Sequence, residues 1–190
     1  MRISVDHIFW IVLATLIGAA AFFTSGVVGF KRSMTGADIQ FASGQKVAVT
    51  RIIDGDDLAV RLGDHQLRIR ILGIATFDPN LNDPLVRGAA GATTAYLSRT
   101  LLNNEVELVY DSFARDKNGR VLAYIHRNAL DIGEDMVANG LALTFTRYPF
   151  SRMKRYLAAE RLARDERTGL WGDPALARRA RDLQKVWERQ

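Results

Sequence analysis

Apolar and polar residues alternate with a period of two over Gln45–Ile52, Leu58–Leu62 and Gln66–Ile74, the spacing of half-buried strands. Gly63-Asp64, between the second and third runs, is a hairpin signal. The period then becomes helical. Asp83 stands where it can cap a helix that begins at Pro84 and runs to about Leu102, with Asn103-Asn104 as its stop. Glu105–Tyr110 and Val121–His126 read as two more strands, separated by the Asp116-Lys117-Asn118-Gly119 turn. A short helix is expected from Ile132 to Asn139, stopped at Gly140. Ser151 can cap another, Arg152 to about Glu166, in which Met153, Tyr156 and Leu157 share a face. Gly169-Leu170-Trp171-Gly172 closes the region, with Trp171 packed against it. Five strands with a helix inserted after the third describe an α+β chain built on a small Greek-key barrel with packed helices.

The two ends follow other patterns. Ile8–Phe30 contains no charged residue, and at ~1.5 Å per residue it would span the ~30 Å hydrocarbon core of a bilayer. Trp10 and Lys31-Arg32 suit the two interfaces. Residues 1–32 are therefore expected to form a single-pass N-terminal transmembrane anchor. A cleavable signal peptide, processed at Gly18-Ala19-Ala20-Ala21, is the competing reading. The apolar continuation through Phe22-Phe23 and Val27-Val28 favours the anchor. Within it, Ala14, Gly18, Ala21, Ser25 and Gly29 make a small-residue stripe. Either a partner helix of a membrane complex approaches through Gly18 and Ser25, or the segment is a plain tether. Arg2 on one side and Lys31-Arg32 on the other give almost no orientation signal. Residues 33–44 read as a linker, 45–173 as the barrel domain and 174–190 as a basic amphipathic helix. In that helix Leu176, Ala180, Leu183 and Trp187 form one stripe, and Arg178, Arg179, Arg181, Lys185 and Arg189 cover the rest. The stripe can pack on the domain with the arginines solvated, or the helix can lie on an anionic membrane surface or a partner.

Charge and composition narrow this picture. There is no cysteine, which excludes disulfides, thiolate metal sites and a thiol nucleophile. The net charge is +5. Of 26 basic and 21 acidic residues, three and one fall in 1–32 and five and two in 174–190, which leaves 18 of each in 33–173. The barrel region is thus neutral, without the broad positive field of non-specific nucleic-acid binders.

Candidate chemistry gathers at two strand ends. Asp54, Asp56 and Asp57 surround Gly55 at the mouth of the second strand, and Arg70, Thr76 and Asp78 lie along and beyond the third. Carboxylates this close repel unless a cation or guanidinium lies between them. Such an oxygen cluster suits a hard cation, and an arginine suits phosphate or carboxylate. Asp-Gly serving only turn geometry is the other reading.

With Arg115-Asp-Lys-Asn-Gly-Arg-Val-Leu-Ala-Tyr-Ile125 added, the chain resembles the staphylococcal nuclease (thermonuclease) family. The resemblance runs from about Gln45 to about Trp171 and rests on "IDGD", "RIRILGI", "RDKNGRVLAYI" and "GLWGDP" in the family's order. It implies the OB-fold barrel and calcium-dependent hydrolysis of DNA or RNA phosphodiesters. It also implies a domain on the non-cytoplasmic side, periplasmic or extracellular. Residue by residue, it gives Asp56 as a metal carboxylate and Thr76 as the threonine whose carbonyl meets the metal. Arg70 and Arg120 become the phosphate clamp, and Lys117 and Tyr148 nucleotide contacts.

The departures are as specific as the matches. Ala75 stands where the family has its second metal aspartate, and Phe77-Asp78 where it has proline and the general-base glutamate. Losing a carboxylate weakens a hard-cation site. An aspartate base is shorter by roughly one 1.5 Å bond, and a ~1 Å misplacement can cost ~10²-fold in rate. Asp57, where the family usually has threonine, can lend a carboxylate; alternatively Asp78 becomes the metal ligand and leaves the base unassigned. Two expectations follow: a slow, membrane-anchored, calcium-dependent nuclease, or a catalytically degenerate domain serving as an accessory or scaffold subunit of a membrane complex.

Overall fold

A computed structural model describes residues 42–111 and 115–188. The expected membrane span, its Gly18–Ser25 stripe and all of the linker before Ala42 lie outside these residues. No helix among the described residues is long and apolar enough to cross a membrane.

Strands β1 (Gln45–Ile52), β2 (Asp57–Leu62) and β3 (His65–Ile71) form an antiparallel meander. Leu62 pairs with His65, so Gly63-Asp64 is the two-residue hairpin the sequence predicts, and Gly63 has the positive φ of 55° that such a turn requires. The expected third strand does not continue to Ile74. Gly73 takes φ +84° against the Phe150 ring, and Ile74–Ala75 becomes a separate strand, β4. A Cβ at position 73 would stand 2.5 Å from Phe150 Cε2, so the turn needs glycine for space as well as for conformation.

Helix α1 (Pro84–Leu101) starts as expected: Asp83 Oδ1 accepts from the amides of Leu85 (2.9 Å) and Val86 (3.3 Å). It stops before Asn103, which has φ +60°. Val86, Ala90, Thr93, Leu97 and Leu101 form its buried stripe. Strands β5 (Glu105–Val109) and β6 (Val121–Arg127) follow. β1 pairs with β5, β5 with β6, and β6 runs parallel to β3 through Ile69–Ile71 and Val121–Ala123. That last pairing closes the five strands into a barrel, the OB-fold architecture. Val47, Val49, Leu58, Val60, Leu67, Ile69, Ile71, Val106, Leu108, Val121, Ala123 and Ile125 are buried, with the alternate spacing of a barrel interior.

β7 (Leu130–Asp131) extends the sheet, and Asp131 caps α2 (Ile132–Ala138) by accepting from Glu134 N at 3.2 Å. β8 (Leu143–Thr144) pairs with β4. Helix α3 (Met153–Asp165) is not capped by Ser151. The amide and hydroxyl of Ser151 instead donate to Asp111, which draws it across the fold and leaves Arg152 at the cap position, with no side-chain bond to the helix amides. A 3₁₀ turn (Gly169–Gly172) leads into α4 (Pro174–Glu188).

α4 buries Leu176, Ala177, Ala180 and Gln184, and leaves Leu183 38% exposed, so its inner face is turned one residue from the expected stripe. That face joins a second core with Phe77, Val86, Ala90, Leu143, Ala163, Leu170 and Trp171, against which Trp187 packs half-buried. Burying each large apolar side chain there contributes about 1.5–3 kcal/mol. The helix is held by its own domain, and its arginines face outward.

Candidate active site

The Asp54-Gly55-Asp56-Asp57 corner is built by its first residue. Asp54 Oδ1 accepts from the amides of Asp56 (3.0 Å) and Asp57 (2.8 Å), fixing a tight turn where β2 begins. Gly55 lets the chain after β4 come close, since a Cβ there would stand 2.5 Å from Thr76 Oγ1. Thr76 uses that approach: its amide and hydroxyl donate to Asp56 Oδ2 at 3.1 and 3.2 Å. The other Asp56 oxygen accepts from Arg70 Nη1, while Arg70 Nη2 donates to the carbonyl of Ile74 at 3.3 Å.

Asp57 makes a second pair. Its Oδ2 accepts from Arg68 Nη2 (2.9 Å) and Arg120 Nη1 (2.8 Å). Its Oδ1 is buried and has no hydrogen-bond partner, and the residue is 1% exposed. Arg120 also reaches back to its own turn, donating from Nε to Asp116 Oδ2 at 2.7 Å. One ligand atom from each of Asp54, Asp56 and Asp57 lies within 4.8 Å of the others. An unpartnered buried carboxylate oxygen beside two further carboxylates has the chemistry of a hard-cation site.

The two arginines differ electrostatically. Burial, with the neighbouring positive charge of Arg120, brings the Arg70 guanidinium down to about 10, and it remains charged near neutrality. Burial acts the same way on Arg120, but hydrogen bonds to Asp57 and Asp116 outweigh it and raise its pKa. Burial of Asp116 is likewise outweighed, by its bonds from Arg120 and Asn118, and its carboxyl lies below the ordinary range.

Arg70 and Arg120 open on a cavity of about 610 Å³ that is also lined by Lys117, Asn118, Arg147, Tyr148, Phe145 and Phe150. Four residues anticipated from the sequence thus meet there: Arg70, Lys117, Arg120 and Tyr148. Tyr148 is exposed at the rim, with Arg147 over its ring at 5.4 Å and Phe145 edge-on at 6.1 Å. Asp56 and Thr76 lie behind Arg70, bonded to it or to each other. Asp78 is not brought in. Phe77 is buried in the second core, and Asp78 emerges on an exposed turn where its Oδ1 accepts from Asn80 N (2.8 Å) and Nδ2 (3.0 Å). Ala75 is buried in β4, opposite Leu143.

A family profile described as "Staphylococcal nuclease homologue" matches residues 68–173. The chain belongs to the staphylococcal nuclease family. Among its relatives, a thermonuclease of Staphylococcus hyicus is 28% identical over 138 residues, 72% of this chain and 82% of the relative. An uncharacterized protein of Methanocaldococcus jannaschii is 30% identical over 145 residues, 65% and 70%. An uncharacterized endonuclease of Escherichia coli is 27% identical over 127 residues, 66% and 76%.

Within this staphylococcal nuclease fold, three site features were not anticipated. Arg147 and Phe145 line the cavity, Asp116 anchors Arg120, and Asp57 pairs with Arg120 across the barrel. Only Asp116 carried a signal, as an acid four residues before an arginine in a turn. The others depend on which strands meet.

Proposed function

We propose that the domain hydrolyses phosphodiester bonds of DNA or RNA, with calcium as its cation, at a rate lowered by Ala75 and Asp78. The observation that carries this reading is the convergence of Arg70, Arg120, Lys117 and Tyr148 on one cavity. Two guanidiniums fixed by carboxylates, Arg70 by Asp56 and Arg120 by Asp57 and Asp116, are preoriented donors, which is what charge developing on phosphoryl oxygens requires. Lys117 adds a cation, and the Tyr148 ring a face on which a base can stack. Asp56, Asp57 and Thr76 are the residues that would hold the cation, with Asp57 Oδ1 the free oxygen. When bound, such an ion polarises a phosphoryl oxygen and stabilises the charge of the transition state. Asp57 in this role replaces the carboxylate lost at Ala75. Asp78, bonded to Asn80 on its own exposed turn, leaves the general base unassigned, hence the lowered rate. The test is cleavage of single-stranded DNA by the full chain in calcium buffer, beside Arg70→Ala and Arg120→Ala. Each should lose about 10²–10³-fold, as when a transition-state donor is removed. Wild-type cleavage no faster than a buffer control sinks the reading.

A second reading is favoured by Ala75 and by the placement of Asp78 on its own turn: a domain that retains the phosphate cavity and serves as an accessory subunit. In both readings Ile8–Phe30 anchors the protein in a membrane, with the domain on the non-cytoplasmic side. The uncharged length of that segment supports the anchor. Membrane fractionation with protease protection tests it. Recovery in the soluble fraction, or a domain shielded on the cytoplasmic side, counts against it. Docking through the small-residue stripe is tested by Gly18→Leu with Ser25→Leu; an unchanged set of co-purifying proteins returns the helix to a plain tether.

A further inference from the structure

Helices α3 and α4 enclose a second cavity of about 480 Å³. α3 gives it Leu157, Glu160, Arg161 and Arg164, and α4 gives Arg181, Gln184, Lys185 and Glu188, each set at the three- and four-residue steps of one helix face. The floor is a closed polar network. The buried carboxylate of Glu160 accepts from Thr144 N (2.7 Å), Gln184 Nε2 (2.8 Å) and Arg164 Nη2. Arg164 also donates to Gln184 Oε1 at 2.5 Å and lies over the Trp171 ring at 4.3 Å. This network explains why Gln184 and not Leu183 turns inward, and turning Gln184 inward brings Arg181 and Lys185 to the cavity.

The floor consumes the charge of Glu160 but not that of the walls. Arg161 and Arg181 have no hydrogen-bond or ion-pair partner among the described residues, and Lys185 has only the exposed Asp182 at 3.2 Å. Glu188 is the one other acid in the lining. Two unpaired guanidiniums facing a common space, over a base whose own charges are neutralised, suit an anion.

The cleft and the first cavity share no lining residue but flank one stretch of chain. Thr146 lines the cleft, while Phe145, Arg147 and Tyr148 line the first cavity. Phe145 also packs edge-on against Trp187 of α4 at 4.9 Å, which holds α4 beside that wall. We propose that the α3–α4 cleft is a second phosphate site, in which Arg161 and Arg181 hold the backbone of a nucleic-acid strand whose other part occupies the Arg70–Arg120 cavity. The inference rests on the nucleic-acid reading above, and its helix α4 lies beyond residue 173, where the family match ends.

Fluorescence anisotropy of the full chain in mild detergent and EDTA tests it, with wild type beside Arg161→Ala/Arg181→Ala. Both residues are exposed and unpaired, so the fold should be retained, which circular dichroism checks. One probe is a deoxynucleoside 3′,5′-bisphosphate. The other is a DNA strand of about 20 nucleotides, longer than the ~4–16 that one such barrel engages. The double variant should bind the long strand about 5–10-fold more weakly and lose roughly 1.4 from its salt slope, ~0.7 for each cation removed. Its affinity for the bisphosphate should not change. A long-strand affinity and slope equal to wild type, in a protein that binds the bisphosphate, overturns the proposal and leaves the first cavity standing. Failure of wild type to bind either probe removes both. Saturable binding of glycerol phosphate that the variant loses, with long-strand affinity intact, assigns the cleft to lipid headgroups and also overturns it.

Discussion

Two of the buried arginine–carboxylate networks in this domain, around Asp131 and around Asp56 and Asp57, are finished differently. Around Asp131 every oxygen is used. Oδ1 accepts from Tyr156 Oη (2.8 Å) and Glu134 N (3.2 Å), and Oδ2 from Arg152 Nη1 (2.5 Å). Arg152 is covered by the Tyr124 ring at 4.0 Å and touches His126 Nε2 at 2.5 Å. Burial, reinforced by Asp131, pushes the Tyr156 hydroxyl far above its ordinary pKa. Around Asp56 and Asp57 the same residue types leave an oxygen unpartnered and two guanidiniums open on a cavity. A closed network fixes where α2 and α3 sit against the barrel. An incomplete one has capacity left for a ligand. Incompleteness therefore distinguishes the two where residue type does not.

The sharpest break of this comparison is Asp131→Ala. It strips Arg152 and Tyr156 of their partner and α2 of its cap, and should cost about 3–5 kcal/mol, as for loss of one member of a buried pair. Urea denaturation measures it. Asp57→Ala should cost less, about 1–3 kcal/mol, because Arg120 keeps Asp116 and Arg68 is half in solvent. Equal losses would mean that both networks are structural.

Ala75→Asp sharpens the open side. A carboxylate placed at this buried position should destabilise the protein in EDTA. Calcium at 100 times its dissociation constant should then return about 2.7 kcal/mol. No calcium-dependent shift in the urea midpoint would show that residue 75 is not beside the cation.

The smallest effect is in pH. Burial, with the positive charge of Arg152, lowers the His126 pKa from 6.5. The unfolded chain therefore binds the proton first, and this contribution is present above pH ~6.5 and lost as pH falls through the folded value. Asp116 is also depressed, from 3.8, so its contribution is kept until pH falls below about 4. The closed network should weaken first, in mild acid. His126→Gln should flatten the stability profile as pH falls below ~6.5 and leave the loss below ~4 unchanged. A profile identical to wild type contradicts this assignment.

What could be read in the sequence is what local chemistry decides. The Gly63-Asp64 hairpin, the Asp83 cap and the alternation of β1 each depend on residues within a few positions. The break at Gly73 was hidden because Ile71, Leu72 and Ile74 keep the stretch apolar across the turn, and Phe150 arrives from far along the chain. Ser151 reads as a cap until Asp111 competes for it. The inward face of α4 is set by Glu160 and Arg164 on another helix. For the candidate site, Asp56, Arg70 and Arg120 can be picked out as candidates because they lie at strand ends in recognisable segments. Their partners cannot, since the bond from Arg120 to Asp57 exists only once β6 has met β3.

That junction has a mechanical consequence. β3 and β6 share only Ile69–Val121, Arg70–Leu122 and Ile71–Ala123, whereas β2 and β3 pair over their whole length. Arg70 belongs to one edge of this short zip and Arg120 immediately precedes the other. An anion gripped by both arginines would act as a clasp across this seam, which with β5–β6 is one of the two in the barrel paired through only three residues a side. Occupancy would then be felt as resistance to partial opening, and amide hydrogens of residues 69–71 and 121–123 would exchange more slowly when the clasp is fastened.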